Sequence, residues 1–294
     1  MNRLDEQYRG LLAEVLYNGT EKDDRTGTGT LSRFGMSIRH RMDDGFPILT
    51  TKKVAFKTMV TELKWFLKGD THIKYLLDNN CHIWDGDAYK RYKRVYNYDL
   101  DEPLSKAEFI DKVQNDPAYM HWGLLGPIYG AQWRSWGSKK YIDQIADLIE
   151  NLKNNPDSRR HLVSAWNVED LGQMTLPPCH YAFQCYVADD KLSLMWQQRS
   201  ADLFLGVPFN ISSYGLLLEL LCVETGYEPG ELIGNFGDVH LYKNHLEQAK
   251  EQISRDPFEL PKLGLYYENI LEAKFEATLQ NYKSHPTIKA PLSN

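Results

Sequence analysis

The chain has 294 residues, a formal net charge of −6, 42% hydrophobic residues and 25% charged residues. These values suit a globular protein of one large domain or two small ones, and the negative charge argues against general nucleic-acid binding. Four cysteines are too sparse for a disulfide framework and match no zinc spacing, so we expect no metal site. We find neither the apolar run of a secretory signal nor a stretch typical of a membrane span, and we expect a cytoplasmic protein.

The first part of the chain alternates helical and strand-like patterns. Apolar residues recur at helical spacing over 4–16, a turn-rich loop follows at 24–30, and alternation over 31–42 predicts a strand. A mostly apolar helix is predicted over 54–67, with Glu62 inside it. A carboxylate in such a helix lies at its rim or, if it is buried, needs a partner or a task.

Residues from about 87 to 120 differ in texture, being rich in Tyr, Lys, Arg and Asp, with a helical piece near 107–113. We interpret this stretch as a surface insertion and not as a second domain. No linker, internal repeat or low-complexity tract interrupts the chain, so we expect residues 1–294 to form one α+β domain.

The second half predicts more strands and helices. They are an amphipathic helix over 142–152, strands over 162–166, 181–188 and 191–198, an apolar helix over 211–224, a strand near 232–236 and a polar helix over 244–254.

Cys179 is a candidate nucleophile because two prolines precede it and a histidine follows it. A thiol becomes a nucleophile where its surroundings favour the thiolate. A buried structural cysteine is the commonest alternative, and taken alone the two interpretations of Cys179 are equally good. Cys185 lies in an alternating strand and Cys222 in an apolar helix, so we predict that both are core residues.

Four arginines lie where they could bind a phosphate group. Arg25 lies in a Thr/Gly loop, Arg159 and Arg160 follow a helix end, and Arg199 precedes Ser200. A guanidinium group binds phosphate oxygens in a bidentate way, although an exposed arginine is often only a solvated charge. The Thr/Gly loop lacks the pattern of a P-loop.

Asn210 begins the apolar helix predicted over 211–224 and could be its N-cap. Its amide also offers an acceptor and donors that match O4 and N3–H of a uracil ring, whereas cytosine reverses both groups. Glu62, if it is buried, would have a raised pKa and could exchange protons near neutrality.

Nearly the whole chain resembles thymidylate synthases, and the resemblance lies in many motifs in one order. They include Asp24-Arg25-Thr26-Gly27-Thr28-Gly29-Thr30, Thr50-Thr51-Lys52, Ile83-Trp84-Asp85, Gly126-Pro127-Ile128-Tyr129-Gly130, Asp157-Ser158-Arg159-Arg160, Pro177-Pro178-Cys179-His180, Gln198-Arg199-Ser200, Pro208-Phe209-Asn210 and His240-Leu241-Tyr242. The resemblance implies an α/β fold on a large mixed sheet flanked by helices, an obligate homodimer, and methylation of dUMP to dTMP. In that reaction 5,10-methylenetetrahydrofolate supplies both the carbon and the hydride.

The resemblance also implies the roles of the site residues. Cys179 would add to C6 of dUMP with Arg199 beside it, Asn210 would recognise the pyrimidine, Glu62 would organise proton traffic at O4, and Tyr129 would assist deprotonation at C5. The expected dUMP contacts are Arg25, Arg159, Arg160, His180, Gln198, Arg199, Ser200, Asp202, Asn210, His240 and Tyr242. The expected folate contacts are Lys52, Trp84, Asp202, Leu205, Gly206, Phe209 and Pro291.

Two expectations concern the partner subunit and the folate side. In the homodimer, Arg159 and Arg160 would bind phosphate in the partner's site. Many family members have a tryptophan where this chain has Asp87, and an aliphatic last residue where it has Asn294. We therefore expect the closure of the folate site to differ from theirs.

Three alternative functions are weighed against this one. A dUMP hydroxymethylase of the same superfamily would quench the methylene with water in place of hydride. A nucleotide-binding or RNA-binding regulator would need a basic surface that the net charge does not favour. A cysteine hydrolase would need His180 or another histidine as its base, and it would leave Asn210 unexplained.

Overall fold

The computed structural model describes residues 2–24, 27–96, 102–137 and 140–292. The helices are α1 (Arg3–Asn18), α2 (Phe56–Leu67), α3 (Lys74–Asp78), α4 (Asp85–Val95), α5 (Lys106–Asn115), α6 (Tyr129–Arg134), α7 (Gln144–Asn154), α8 (Gly206–Thr225) and α9 (Leu246–Ser254). The strands are β1 (Thr20–Lys22), β2 (Thr30–Arg41), β3 (Leu162–Ser164), β4 (His180–Ala188), β5 (Lys191–Asp202), β6 (Glu228–Tyr242), β7 (Lys262–Asn269) and β8 (Lys274–Gln280).

Six of the strands form one mixed sheet in the order β1-β2-β6-β5-β4-β3. Strands β5 and β6 are parallel, and the other neighbouring pairs are antiparallel. Strands β7 and β8 pair in a separate antiparallel hairpin. The expectation of a large mixed sheet flanked by helices is confirmed, whereas the single domain stays a prediction.

Helix α8 fills the core on one face of the sheet. Its Tyr214 ring stacks on Trp196 of β5, with ring centroids 5.2 Å apart and planes 8° from parallel. Among the described residues, α8 is the one helix long and apolar enough to cross a membrane, contrary to our expectation that no stretch qualifies, but most of it is buried inside the protein. A mostly apolar helix that is largely buried in this way is typical of a core position.

The structure changes the predicted bounds of three elements near the candidate site, and the strand predicted near 232–236 is the longer β6, Glu228–Tyr242. Helix α8 begins at Gly206, so Asn210 lies one turn inside the helix and is not its N-cap. Pro208 fits there because the first turn of a helix needs no backbone donor. Strand β5 runs on to Asp202, four residues beyond its predicted end. The prediction stopped early because the final residues of the strand are polar and interrupt the apolar alternation by which strands are predicted.

The predicted surface insertion contains two helices with an aromatic cluster between them. The predicted helical piece is confirmed as α5, while α4 was missed because tyrosines among basic residues form its apolar face. Tyr92 and Phe109 are fully buried with ring centroids 4.8 Å apart, and Trp122 packs edge-on against Tyr92. Helix α4 starts directly after Trp84, so the insertion adjoins the candidate site.

The opposite face of the sheet is open in the described part of the chain. It carries two shallow hollows of about 640 and 600 Å³, formed by residues of β2, β4, β5 and β6. Phe34 and Tyr186 on this face are 88% and 67% exposed. Large aromatic side chains exposed on a sheet face mark a surface suited to another protein.

Candidate active site

Strand ends bring the candidate residues to one edge of the sheet. His180 at the start of β4 pairs with Gln198, and Asp202 at the end of β5 pairs with His240 of β6. Helix α8 begins four residues after Asp202, so Asn210 lies at the same edge. Residues far apart in sequence therefore meet because four elements start or end together.

Arg199 is fixed against the segment that carries Cys179. Its backbone N–H donates to the Cys179 carbonyl at 2.9 Å, and its guanidinium donates to the carbonyls of Pro178 and Pro177, each at 2.9 Å. A guanidinium has five N–H donors, so donors remain for an anionic ligand. The two prolines thus present carbonyls that hold a cation beside the thiol.

Cys179 differs from the other three cysteines in exposure. Cys81, Cys185 and Cys222 are buried, whereas Cys179 is half-buried. Burial raises the pKa of Cys185 to about 12 and raises that of Cys222 also, which keeps both as thiols. The prediction that Cys185 and Cys222 are core residues is confirmed.

Tyr129 and His180 form a stack behind Cys179. The Tyr129 hydroxyl accepts a hydrogen bond from the Cys179 N–H at 2.8 Å, and it keeps its own proton to donate. The His180 ring stacks on Tyr129 at 4.3 Å, with its Nδ1 2.9 Å from the Tyr214 hydroxyl. Desolvation lowers the pKa of His180 to about 3, so the imidazole is neutral at pH 7 and too weak a base to activate a thiol.

Glu62 is a carboxylate whose pKa lies near neutrality. Burial raises the pKa of Glu62 to about 7, while a hydrogen bond from the Trp84 indole opposes the rise. The indole Nε1 donates to the carboxylate at 2.8 Å, and the Trp84 ring packs edge-on against Tyr129 at 6.2 Å. A group with such a pKa can both accept and give a proton at pH 7.

His240 and Tyr242 lie together at the end of β6. Their rings meet edge to face at 5.3 Å, and His240 is 8% exposed. Asp238 lies 3.3 Å from the His240 Nδ1 and also accepts hydrogen bonds from Ser32 and Lys22. The hydrogen bond with His240, followed by that from Lys22, holds the pKa of Asp238 well below its usual range.

Three further predicted polar residues, Gln198, Ser200 and Asn210, differ in burial and in hydrogen bonding. The buried Gln198 amide accepts from the Trp196 indole at 3.1 Å and donates to the Ser200 carbonyl at 3.0 Å, so both of its ends are engaged within β5. Ser200 and Asn210 are half-buried. Within the described ranges, the Asn210 amide makes no hydrogen bond, which leaves it open to a ligand.

A second pocket lies beside the start of α8. It has a volume of about 300 Å³ and is lined by Lys52, Lys53, Val54, Ala55, Leu205, Pro208, Phe209, Thr287 and Ile288. The Lys52 ammonium donates to the Phe204 carbonyl and lies 3.6 Å from the centroid of that ring. Burial lowers the pKa of Lys52 to about 7, against the attraction of Asp202.

Two further predicted residues do not line this pocket but belong to the chain segments that carry its lining residues Leu205 and Ile288. Asp202 accepts hydrogen bonds from the N–H groups of Phe204 and Leu205, at 3.0 and 3.1 Å, and so shapes the turn into α8. The Pro291 carbonyl accepts from Nε2 of the buried His245 at 2.6 Å. The C-terminal segment is therefore held near the pocket.

Arg159 and Arg160 are exposed, and they are not close to Cys179 within the chain. The His161 carbonyl accepts from the Cys185 N–H, so Arg160 lies near that level of β4. Six residues of strand separate this level from Cys179, which corresponds to roughly 20 Å. Arg25 lies outside the described residues.

Tyr214 and Asp238 were not assigned roles from the sequence. Tyr214 lies four residues after Asn210 and shares its helix face, a spacing that could have signalled it. Asp238 lies two residues before His240 on the same strand face. Among the described residues, no three His, Cys, Asp or Glu side chains are grouped as metal ligands would be.

Comparison with known proteins identifies close relatives. The family model described as thymidylate synthase matches residues 6–294. Thymidylate synthase of Listeria monocytogenes serotype 4a is 50% identical, and the alignment covers 98% of this chain and 99% of the relative. Thymidylate synthase of Mycoplasma mobile is 49% identical with the same coverage.

Proposed function

This chain belongs to the thymidylate synthase family, and we propose that it methylates dUMP to dTMP with 5,10-methylenetetrahydrofolate and releases dihydrofolate. The observation that carries the proposal is the edge of the sheet where Cys179 meets Arg199 and Asn210. This edge offers a thiol, a cation and an open amide to one small ligand. Bound methylenetetrahydrofolate would supply the carbon and the hydride, and no metal is needed.

The Cys179 thiolate adds to C6 of the uracil ring. The electron pair of the C5=C6 bond moves toward C5 and O4, which makes C5 nucleophilic. The Arg199 guanidinium, held by the carbonyls of Pro177 and Pro178, favours the thiolate and binds the phosphate. Asn210 binds O4 and N3–H and so selects uracil over cytosine.

Glu62 and Tyr129 transfer protons at O4 and C5 of the uracil ring. Glu62, with its pKa near 7, exchanges a proton with O4 through water. The Tyr129 hydroxyl accepts from the Cys179 N–H and is thereby oriented to assist removal of the C5 proton. When the C5 proton has left and the methyl group is complete, Cys179 departs from C6 and the C5=C6 bond re-forms.

The remaining polar residues hold the rest of the nucleotide. Ser200 and Arg25 bind the phosphate with Arg199, while His240 and Tyr242 bind the deoxyribose 3′-hydroxyl. The contacts of Asp238 with His240 support this role, because they fix the orientation of the imidazole.

The folate lies in the pocket of about 300 Å³ beside α8. Lys52, Leu205 and Phe209 line it, Trp84 packs next to Tyr129 at the border with the uracil, and Pro291 contacts the folate from the segment that follows the lining residue Ile288. Asp202 shapes the turn that carries Leu205 and Gly206. The pocket is mostly apolar, as the aromatic body of a folate requires.

The enzyme works as a homodimer in the cytoplasm. The open sheet face with Phe34 and Tyr186 supports an interface there. The separation of roughly 20 Å between Arg160 and Cys179 also supports it, because these arginines could complete a phosphate site only in another protomer. Arg159 and Arg160 therefore bind phosphate in the partner's site.

A product assay tests the proposal. The protein is incubated with dUMP and methylenetetrahydrofolate, dihydrofolate is followed by absorbance, and the pyrimidine is identified by mass. We expect dTMP and dihydrofolate in equal amounts. Hydroxymethyl-dUMP with tetrahydrofolate would identify the hydroxymethylase instead, and binding of dUMP without turnover would identify a regulator.

A further inference from the structure

One buried carboxylate on α1 is fully committed to the segment just before Lys52. Asp5 is 0% exposed, and its carboxylate accepts hydrogen bonds from the N–H and hydroxyl groups of both Thr50 and Thr51. Asn2 donates a further one at 2.6 Å. A buried carboxylate is costly in free energy unless it is hydrogen-bonded. These contacts therefore hold the Asp5 carboxylate and the Thr50-Thr51 segment in place together.

The same face of α1 also contacts the turn over 203–205, which carries the lining residue Leu205 on another side of the cosubstrate pocket. Tyr8, three residues after Asp5, is fully buried and donates to the Leu203 carbonyl at 2.6 Å. The next carbonyl, that of Phe204, accepts from Lys52. One turn of α1 therefore holds, from behind, the two segments that meet at the pocket.

The third wall is attached to the same segment. The Thr50 carbonyl accepts from the His285 N–H at 2.8 Å. Arg255 donates to the Thr51 carbonyl at 2.9 Å and to the Pro286 carbonyl at 2.7 Å. Because Thr287 and Ile288 line the pocket, a shift of Thr50 and Thr51 would move this wall as well.

We propose that Asp5 is a positioning residue for the cosubstrate: it fixes Thr50 and Thr51, and through them Lys52 and the C-terminal wall of the pocket. This inference rests on the proposed function for what fills the pocket. Burial of α1 does not itself call for a carboxylate, since the neighbouring buried positions Leu4, Leu12 and Val15 are apolar. The acceptor oxygens of Asp5 are needed instead to hold the segment that contains Thr50 and Thr51.

The test measures both substrates in Asp5→Asn. Asparagine keeps one acceptor oxygen but turns an NH₂ group toward the threonine donors, so the loop shifts while the helix remains filled. We expect KM for methylenetetrahydrofolate to rise about tenfold, because small displacements of positioning groups are costly. The Kd for dUMP should change less than about twofold, since its site is built on the sheet.

A matched pair at Thr51 repeats the test without changing Asp5. Thr51→Val removes the hydroxyl donor and should also raise KM for methylenetetrahydrofolate, whereas Thr51→Ser keeps the donor and should restore it. Tyr267→Phe is the control for stability alone, because Tyr267 bonds to Glu224 and Ile270, at the far end of α8 from the pocket. It should lower Tm and leave KM unchanged.

Two outcomes separate this inference from the proposed function. If Lys52→Ala and Phe209→Ala raise KM for methylenetetrahydrofolate while Asp5→Asn and Thr51→Val do not, Asp5 has no positioning role and the pocket assignment stands. If none of the four raises it, the pocket is not the cosubstrate site. Amide hydrogen exchange then decides the role of Asp5: faster exchange over 52–55 and 203–206 in Asp5→Asn, but not in Tyr267→Phe, supports it, and equal exchange overturns it.

Discussion

The pyrimidine side and the cosubstrate side of this site are built in different ways. Cys179, Arg199 and His240 lie in or directly beside strands, and backbone pairing across β4, β5 and β6 sets their spacing. Lys52 and Leu205 lie in turns, and side-chain bonds from α1 and Asp202 set theirs. In the proposed mechanism the covalent step therefore depends on the sheet, while cosubstrate binding depends on contacts that single substitutions can remove.

The largest effect should follow from Cys179→Ala. Without the thiol no bond to C6 forms, and kcat should fall by at least about four orders of magnitude, as when other covalent nucleophiles are removed. The Kd for dUMP should stay close to that of the wild type, because the phosphate and uracil contacts remain. Steady-state kinetics and calorimetric titration measure the two quantities.

Cys185→Ala is the matched control for that experiment. Cys185 is buried inside β4, six residues after Cys179, and burial keeps its thiol protonated. Its replacement should cost stability and leave kcat within a few-fold of the wild type. Equal losses in both variants would contradict the assignment of Cys179 as the nucleophile.

A smaller effect is expected when the uracil-reading amide is changed. Asn210→Asp replaces the NH₂ group that faces O4 with an oxygen, so discrimination between dUMP and dCMP should fall by about 10²-fold or more. The ratio of kcat/KM for the two nucleotides measures this change. An unchanged ratio would show that another group reads the pyrimidine.

A mixed dimer tests whether arginines of the partner subunit complete the pyrimidine side of the site. Cys179→Ala and Arg160→Ala are each expected to be impaired, but mixed dimers should contain one site with both native residues. Random exchange should restore about a quarter of wild-type activity, since half of the dimers are mixed and each has one such site. Activity that stays at the sum of the parents would rule out a shared site.

The smallest expected effect concerns Trp84, at the border between the two sides. The indole N–H favours the ionised form of Glu62, so Trp84→Phe should raise the Glu62 pKa above about 7 by less than about one unit, the value of one ordinary hydrogen bond. The corresponding ionisation in the pH profile of kcat should move upward and should be absent in Glu62→Gln. A downward shift would contradict the geometry.

The difference between the pyrimidine side, built on strands, and the cosubstrate side, held by side-chain bonds, explains which features the sequence predicts well. Motifs resembling one family predicted the strand residues around Cys179 and Arg199, and the mixed sheet they require is present. The Asp5 network was not predicted, because a carboxylate in the first turn of a helix is expected from the helix dipole alone. The long-range bonds of Asp5 to Thr50 and Thr51 follow from tertiary packing that no local pattern encodes.

Boundaries were predicted less well where function alters the pattern. Strand β5 extends through Arg199 and Ser200, polar residues that a buried strand would otherwise avoid. Helix α8 starts before Pro208, which by sequence pattern alone favours a later start. The proposed function assigns Arg199 and Ser200 to a ligand, and a role of this kind overrides local propensity.

The central claim is that Cys179 forms a bond with C6 of dUMP, and carbon NMR of dUMP labelled with ¹³C at C6 tests it most directly. With the enzyme and a folate analogue that cannot donate its carbon, the C6 signal should move from the range of a double-bonded carbon to that of a saturated carbon bearing sulfur. Cys179→Ala should bind the labelled nucleotide and leave the signal in its original range. A saturated C6 in Cys179→Ala, or an unsaturated C6 in the wild-type complex with the analogue, would contradict the account.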